Sequence, residues 1–462
     1  MFDEVKDKFR DECGVFGIYL NKTVYPDEAA RNSFYGLYAL QHRGQESCGL
    51  AISNGEHILL RKGMGLVSDV INQEVIEDLP GHLAIGHVRY STAGYGGIVN
   101  TQPLVIQYLQ GSMALAYNGS ITNARQLRHR LAEGGAVFQT TSDAEIVALL
   151  LARYAKDCLE NALAKTMVDI EGALAMVIMT ETKLIGVRDP WGIRPLCIGE
   201  LNGDYILASE SSALDTIGAR LVRDVEPGEI VAIDRNGLRS MQTVKPQGKA
   251  HCIFEYIYFA RPDSTIDGIN VTYARRELGK QLARECPVEA DIVISVPDSG
   301  TSAALGYAEH SGIPFQQGLL KNRYVGRTFI QPTQQMREMG VRLKLNPIRE
   351  IVEGKRVIMV DDSIVRGTTS RNIVNLLRRA GASEVHMMVS SPPTKHPCYY
   401  GIDTSSREEL IANRMTPAQI CQYIGADSLY HISEQGMYEA LGGNGNIFCT
   451  ACFTGSYPVK IS

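Results

Sequence analysis

Between residues 357 and 370 the chain runs Val357-Ile-Met-Val-Asp361-Asp362-Ser363-Ile-Val-Arg366-Gly367-Thr368-Thr369-Ser370. The apolar run predicts a short buried strand, and the residues after the two acids predict a loop opening into a helix. In that topology the backbone N–H groups from Ser363 to Ser370, with the helix N-terminus, would hold a phosphate. Asp361 and Asp362 cannot serve a phosphate directly, so they suit sugar hydroxyls or a Mg²⁺ that the substrate shares. An acid pair alone would read as a strand ending in an Asx-type turn; the whole string reads as a phosphate-and-sugar site. A second stretch has the same form: Ala290-Asp-Ile-Val-Ile-Ser-Val-Pro297-Asp298-Ser299-Gly300-Thr301 is a strand, a loop and a helix start. Two such units imply a parallel sheet with ligands at the carboxyl ends of its strands.

The helix after Ser370 is expected from Ile373, Leu376, Leu377 and Ala380, which share one face, and from Gly381 as its stop. The first half is patterned differently. Cys13 begins an alternating, strand-like run to Leu20, and a helix follows from about Asp27 to Leu40 with Ala30, Phe34, Leu37 and Tyr38 on one side. Strands are expected at 48–54, 57–62, 83–90, 113–117, 173–179, 183–188, 196–200 and 204–209. Four polar clusters punctuate them: His42-Arg43-Gly44-Gln45-Glu46-Ser47, His87-Val-Arg89-Tyr90-Ser91-Thr92-Ala93-Gly94, Tyr117-Asn118-Gly119-Ser120 and Thr141-Ser142-Asp143-Ala-Glu145. The last is spaced like a capping box for a helix to about Tyr154. Singly, each has a plain structural explanation. Asn-Gly is a hairpin turn, Asp143 a cap, Arg89 a surface ion pair. Many strands with few helices suit paired sheets with helices outside, an αββα sandwich. The polar stretch Met241 to Ala250 is the expected boundary to the second half.

Composition sets the bounds. The 462 residues suffice for two or three domains, and 44% hydrophobic with 21% charged residues is ordinary for a globular protein. A net charge of -5 makes no electrostatic case for nucleic acid. No apolar run is long enough to cross a bilayer, and the charged stretch Met1 to Glu12 is no secretory signal, which predicts a cytosolic protein without membrane partners. Ten cysteines in that compartment are not a disulfide framework. Cys449-Thr-Ala-Cys452 alone is compatible with zinc, with redox chemistry or with neither.

The string 357–370 resembles the phosphoribosyl pyrophosphate (PRPP) motif of type I phosphoribosyltransferases. The order of the polar clusters behind Cys13 resembles the N-terminal-nucleophile glutaminase domain of class II glutamine amidotransferases across 13–240. The whole chain is similar to the glutamine PRPP amidotransferases, in their iron–sulfur branch. That resemblance implies a propeptide, 1–12, whose removal makes Cys13 residue one, so that its own α-amine serves as base. It implies an oxyanion hole from the Asn118 side chain and the Gly119 N–H. Arg89 would clamp the glutamine carboxylate, Asp143 the ammonium group, and Arg43, Gly44 and Thr92 would complete the pocket.

In the second domain, 251–462, it implies PRPP on Asp298, Ser299, Gly300, Asp361, Asp362, Ser363, Arg366, Gly367, Thr368, Thr369 and Ser370. Mg²⁺ would lie at Ser299, Asp361 and Asp362. The basic stretch Lys321 to Arg337 would fold over the substrate as a lid and help form an ammonia route. Purine nucleotides would inhibit, contacting Lys321, Arg323 and Ser363. Cys252 and Cys398 would join Cys449 and Cys452 around a structural or regulatory [4Fe–4S] cluster. Cys48, Cys158, Cys197, Cys286 and Cys421 are expected to be ordinary buried thiols. The family suggests a homotetramer or homodimer. Two rivals differ in class: a glutaminase with another acceptor, which leaves 357–370 unexplained, and a non-catalytic PRPP or nucleotide sensor, which leaves Cys13 and its clusters unexplained.

Overall fold

Alternation of apolar residues along the first half builds two antiparallel sheets. The computed structural model describes residues 13–90, 97–156, 158–242, 246–322, 345–402, 406–443 and 445–461. The expected leader 1–12, Thr92, Arg323 and the predicted lid beyond Asn322 lie outside the described residues. One sheet has seven strands, with β1 (Gly14–Tyr19) and β2 (Leu83–Arg89) paired at its centre. The other has six, and its β3 (Gly111–Ile121) is the longest. Val15 and Ile85 of one sheet meet Ala114, Ala116, Ala175 and Val177 of the other in a core between them. Phe16 and Ile18, the alternate residues of β1, face outward under α1 (Glu28–Ala39). The outer face of the second sheet is covered by α2 (Asp143–Tyr154) and α3 (Leu159–Asp169). This is the expected sandwich.

Two local expectations are corrected. Ala30 and Leu37 of α1 are buried and Phe34 is partly buried against the same core, but Tyr38 is largely exposed, because the buried face is narrower than the expected one. The capping box at α2 is half formed. Ser142 accepts from the Ala144 N–H, but Glu145 turns back to accept from the Gln139 and Thr140 amides, both at 2.7 Å.

The second half opens with β4 (His251–Cys252), a five-residue π-helical turn (Glu255–Phe259) and α4 (Val271–Glu285). A parallel sheet follows in the order β5 (Ile292–Ser295), β6 (Arg356–Asp361), β7 (Glu384–Val389) and β8 (Ser428–His431). Period-two alternation buries both its faces. Val357 and Met359 pack with α6 (Thr368–Arg379), while Ile358 and Val360 pack with α4 and α5 (Thr301–Ser311). The latter core continues through Phe254 and Phe448 to Ala173 and Ile193 of the first half. The two halves therefore share apolar core.

Charge also crosses that boundary. The buried Arg43 guanidinium donates to Glu210 at 2.7 Å and to Glu255 at 2.9 Å. Glu210 also accepts from Ser264 Oγ at 2.6 Å and from the Arg261 N–H at 2.9 Å, and faces His42 Nε2 at 2.7 Å. Burial alone would raise the Glu210 carboxyl, but His42 and Arg43 hold it well below the usual range. Farther along, buried Arg188 donates twice to Asp267 at 2.8 Å.

Removing one partner of such a buried pair strands the others. Arg43→Ala is expected to cost about 3–5 kcal/mol, read as a lower urea midpoint; an unchanged midpoint would show that the pair does not join the halves energetically.

Candidate functional site

Three groups of sequence-singled residues come together. Around Cys13, the thiol at the start of β1 is half-buried and donates toward the Tyr90 carbonyl at 3.9 Å. Burial pushes its pKa up, with the Tyr90 carbonyl and Arg89 acting against that shift. Arg89 closes β2 beside it, with Glu46 3.9 Å from its guanidinium. Gly44 backs onto this strand end so closely that a Cβ would come within 2.5 Å of the Arg89 nitrogen.

Asn118 and Gly119 are not a hairpin turn. They lie inside β3, opposite Ala175 and Leu174. The Asn118 amide is buried and neither its Nδ2 nor its Oδ1 has a hydrogen-bond partner. A buried, unsatisfied amide costs free energy, which a ligand accepting from it would recover. Gly119 has φ +141, and a Cβ there would fall 2.0 Å from the Ala173 carbonyl. Asp143, the first residue of α2, accepts from the Ile121 N–H at 3.2 Å; burial raises its pKa.

The Arg43 guanidinium is committed to Glu210 and Glu255, so its side chain stands behind the site, with Cδ 3.4 Å from the position of a Cβ on Gly14, and a part in the pocket would fall to its backbone. His87 and Tyr117, which open two of the polar clusters, had been given no role. His87 Nε2 bonds the Tyr117 carbonyl at 3.0 Å, and burial lowers its pKa to about 3, so it is the neutral donor. The buried Tyr117 hydroxyl has no partner, and its pKa is raised well above the usual value by burial and by Asp143 and Cys13. Both were legible only as polar residues in otherwise apolar strands.

At the carboxyl ends of β5 and β6 the second group assembles. Ser299 Oγ donates to Asp362, as does Ser363 Oγ at 2.6 Å, and the Asp362 N–H donates to Asp361 at 2.9 Å. Asp361, Asp362 and Ser363 are buried. Gly300 lies against β6, where a Cβ would meet the Val360 carbonyl at 2.6 Å. Gly367 starts α6 at φ +79 with no side chain capping the helix, so the first-turn amides of Thr368, Thr369 and Ser370 face outward from the strand end. Arg366 donates to Glu409, and Lys321 donates to Asp298, at 2.8 and 2.7 Å. The oxygen-only donors Ser299, Asp361 and Asp362 suit a hard cation such as Mg²⁺.

The third group is the four cysteines. β4 and β9 (Phe448–Cys449) pair in parallel with Cys252 opposite Cys449. The Lys395 and His396 amides both donate to the Cys452 carbonyl at 3.0 Å, and Cys398 Sγ accepts from the Tyr400 N–H at 3.3 Å. Burial pushes the Cys252 and Cys449 thiols up to about 12. Cys398 raises both of them as well, and Cys252, Cys449 and Cys398 all raise Cys452. Among the described residues, no three His, Cys, Asp or Glu converge on a single-ion site. The donor set itself, four soft sulfurs brought from three segments, fits an iron–sulfur cluster. Of the five other thiols, Cys48 and Cys197 are buried and Cys158, Cys286 and Cys421 half-buried.

Comparison with known proteins bears on these groups. A glutamine amidotransferase domain family matches residues 89–216, and a phosphoribosyl transferase domain family matches 270–404. An amidophosphoribosyltransferase of Bacillus subtilis (strain 168) is 51% identical over 466 residues, covering 100% of this chain and 97% of that one. The solved glutamine PRPP amidotransferase of B. subtilis complexed with ADP and GMP superposes with a TM-score of 0.92 at 50% identity, covering 97% of this chain and 98% of that one. A solved allosteric regulatory enzyme of purine biosynthesis superposes at 0.93 with 51% identity, covering 97% of each chain. No helix among the described residues is long and apolar enough to cross a membrane.

Asn118→Ala removes a buried side-chain amide that has no hydrogen-bond partner. Hydrolysis of a carboxamide at Cys13 is expected to slow by about 10²–10³ in kcat with KM little changed; a purely higher KM would place Asn118 in ground-state binding.

Proposed function

The chain belongs to the amidophosphoribosyltransferase family, and on that premise we propose how its residues divide the work. The enzyme carries out the first step of purine biosynthesis with a glutamine amidotransferase domain and a phosphoribosyltransferase domain. We place these at 13–240 and 251–462. Glutamine, water and PRPP give 5-phosphoribosylamine, glutamate and pyrophosphate. The observation that carries the assignment of roles is the buried, unpartnered Asn118 amide, whose neighbour Tyr117 lies near enough to Cys13 to feel its charge.

Cys13 Sγ attacks the carboxamide carbon of glutamine. The negative charge that forms on the amide oxygen is met by Asn118 Nδ2 and the Gly119 N–H. Since burial raises the Cys13 thiol, it needs a base. Removal of residues 1–12 would supply one in the α-amine of Cys13, which titrates near 8. Arg89 pairs the substrate carboxylate and Asp143 the ammonium group. The amine protonates the departing ammonia, and water then releases glutamate from the thioester.

In the second domain the amides of Ser363 to Ser370 hold the 5-phosphate, while Asp298, Ser299 and Gly300 face the pyrophosphate. Asp361 and Asp362 orient the ribose hydroxyls. Mg²⁺ held by Ser299, Asp361 and Asp362 would neutralise pyrophosphate charge. Ammonia attacks C1 of the ribose and the C1–pyrophosphate bond breaks. Ammonia reaches that carbon inside the protein, since ammonia lost to water is protonated and no longer nucleophilic. Purine nucleotides inhibit by occupying the phosphate loop, with Lys321 and Ser363 among their contacts. Cys252, Cys398, Cys449 and Cys452 hold a [4Fe–4S] cluster whose contribution is to staple three segments, because neither half-reaction transfers electrons.

Glutamate and pyrophosphate should form in equal amounts when both substrates are present. Glutamate formation that proceeds while PRPP is left unused would instead favour another acceptor. Purified anaerobically, the chain should begin at Cys13 by intact mass and carry about four irons. An active chain that retains Met1 to Glu12 would contradict the amine as base, and zinc in place of iron would contradict the cluster alone.

A further inference from the structure

The Cys398 segment reaches the amide-hydrolysing site directly. Tyr400 is pinned on several sides. Its N–H donates to Cys398 Sγ at 3.3 Å, its hydroxyl donates to the Val459 carbonyl at 2.8 Å, and its own carbonyl accepts from Arg194 Nε at 2.8 Å. Arg194 is fully buried and comes from the first domain. Gly401, the next residue, has φ +113, and a Cβ there would lie 3.1 Å from the Gly119 carbonyl carbon, 3.2 Å from Gly119 Cα and 3.2 Å from Arg194 Nη2. Gly119 is equally confined on its other side, by the Ala173 carbonyl and Leu174 Cα. Its peptide is thus held between β3's neighbouring strand and a segment of the other domain.

We propose that Gly401 is a positioning residue for the glutamine-hydrolysing site: by resting against Gly119 it fixes the direction of the N–H that meets the developing oxyanion. The inference rests on the reading of Asn118 and Gly119 as oxyanion donors. It adds that their geometry is completed by the second domain, through the segment that also carries Cys398. A donor aimed by contact is sensitive to small displacements, since a hydrogen bond weakens steeply as it lengthens or bends. A methyl at position 401 would meet Gly119 and Arg194 first, and at φ +113 it would also strain its own backbone.

The test is Gly401→Ala, with glutamine-dependent and ammonium-dependent pyrophosphate release, iron content and binding of two glutamine analogues measured side by side. One analogue is the aldehyde of glutamine, which forms a tetrahedral adduct with the thiol; the other is glutamate, which does not. The expected result is a fall of about 10²-fold in glutamine-dependent kcat, with KM for glutamine within about threefold. Affinity for the aldehyde should fall in parallel while glutamate still binds. Ammonium-dependent release and iron content should stay near wild type, which shows that the second domain is intact. Equal loss of ammonium-dependent release or of iron would make Gly401 a folding residue and overturn the proposal. Unchanged kcat and aldehyde affinity would overturn it as well. Should the alanine variant not fold, Arg194→Lys, which weakens the hold on the Tyr400 carbonyl, must show the same split between kcat and KM. If Asn118→Ala leaves turnover intact, the oxyanion reading fails first, independently of Gly401.

Discussion

The arrangement depends on a buried charge network in which Arg43, in the turn that follows the first helix, meets Glu255 of the other domain. Arg43 is nearly without solvent contact, as are Glu210 and Glu255, so each charge must be answered within the protein. That requirement fixes the docking of the two domains more sharply than apolar contact could, because a shift of an ångström would leave a buried charge unpaired. Apolar burial supplies the area: Ala173 and Ile193 belong to the same core as Phe254, Phe448 and Met388. The network supplies the register.

Much of the chemistry lies along this seam. Arg43 packs against Gly14, the first residue of the strand after Cys13, and Glu255 follows Cys252 by three residues. Arg194 sits 3.9 Å from Glu255, bonds Tyr400, and its charge draws down the Cys252 and Cys449 thiols against the effect of burial. A guanidinium there offsets the negative charge that four thiolates would bring into the interior. One set of arginines therefore serves both the packing of the domains and the sulfur site.

The strands were legible in the sequence because short runs of apolar residues have one physical cause, burial, and β1, β2 and the central parallel strands are buried on both faces along almost their whole length. The phosphate loop was legible because its chemistry is local: the acids, the glycine and the hydroxyls are neighbours in the chain. Tyr38 was misplaced because helical periodicity identifies a face without saying how wide it is. The direction of the Arg43 guanidinium was not legible, because its sequence neighbourhood is that of the pocket while the charge is answered by Glu210 and by Glu255, far away in the chain. The acid in the apolar run Cys252-Ile-Phe-Glu255-Tyr-Ile was the available signal, since a lone carboxylate among such residues needs a buried partner. The contact of Gly401 with Gly119 left no signal, as two glycines distant in sequence reveal nothing of each other.

In the proposed reaction one thiol, that of Cys13, supplies all glutamine-derived nitrogen to an acceptor site that works without it. Replacing Cys13 with alanine and following PRPP-dependent pyrophosphate release with glutamine and then with ammonium salts tests this most directly. The account predicts that release with glutamine disappears while release with ammonium persists near the wild-type rate. Persistence of glutamine-dependent release would place the nucleophile elsewhere in the chain and contradict the account.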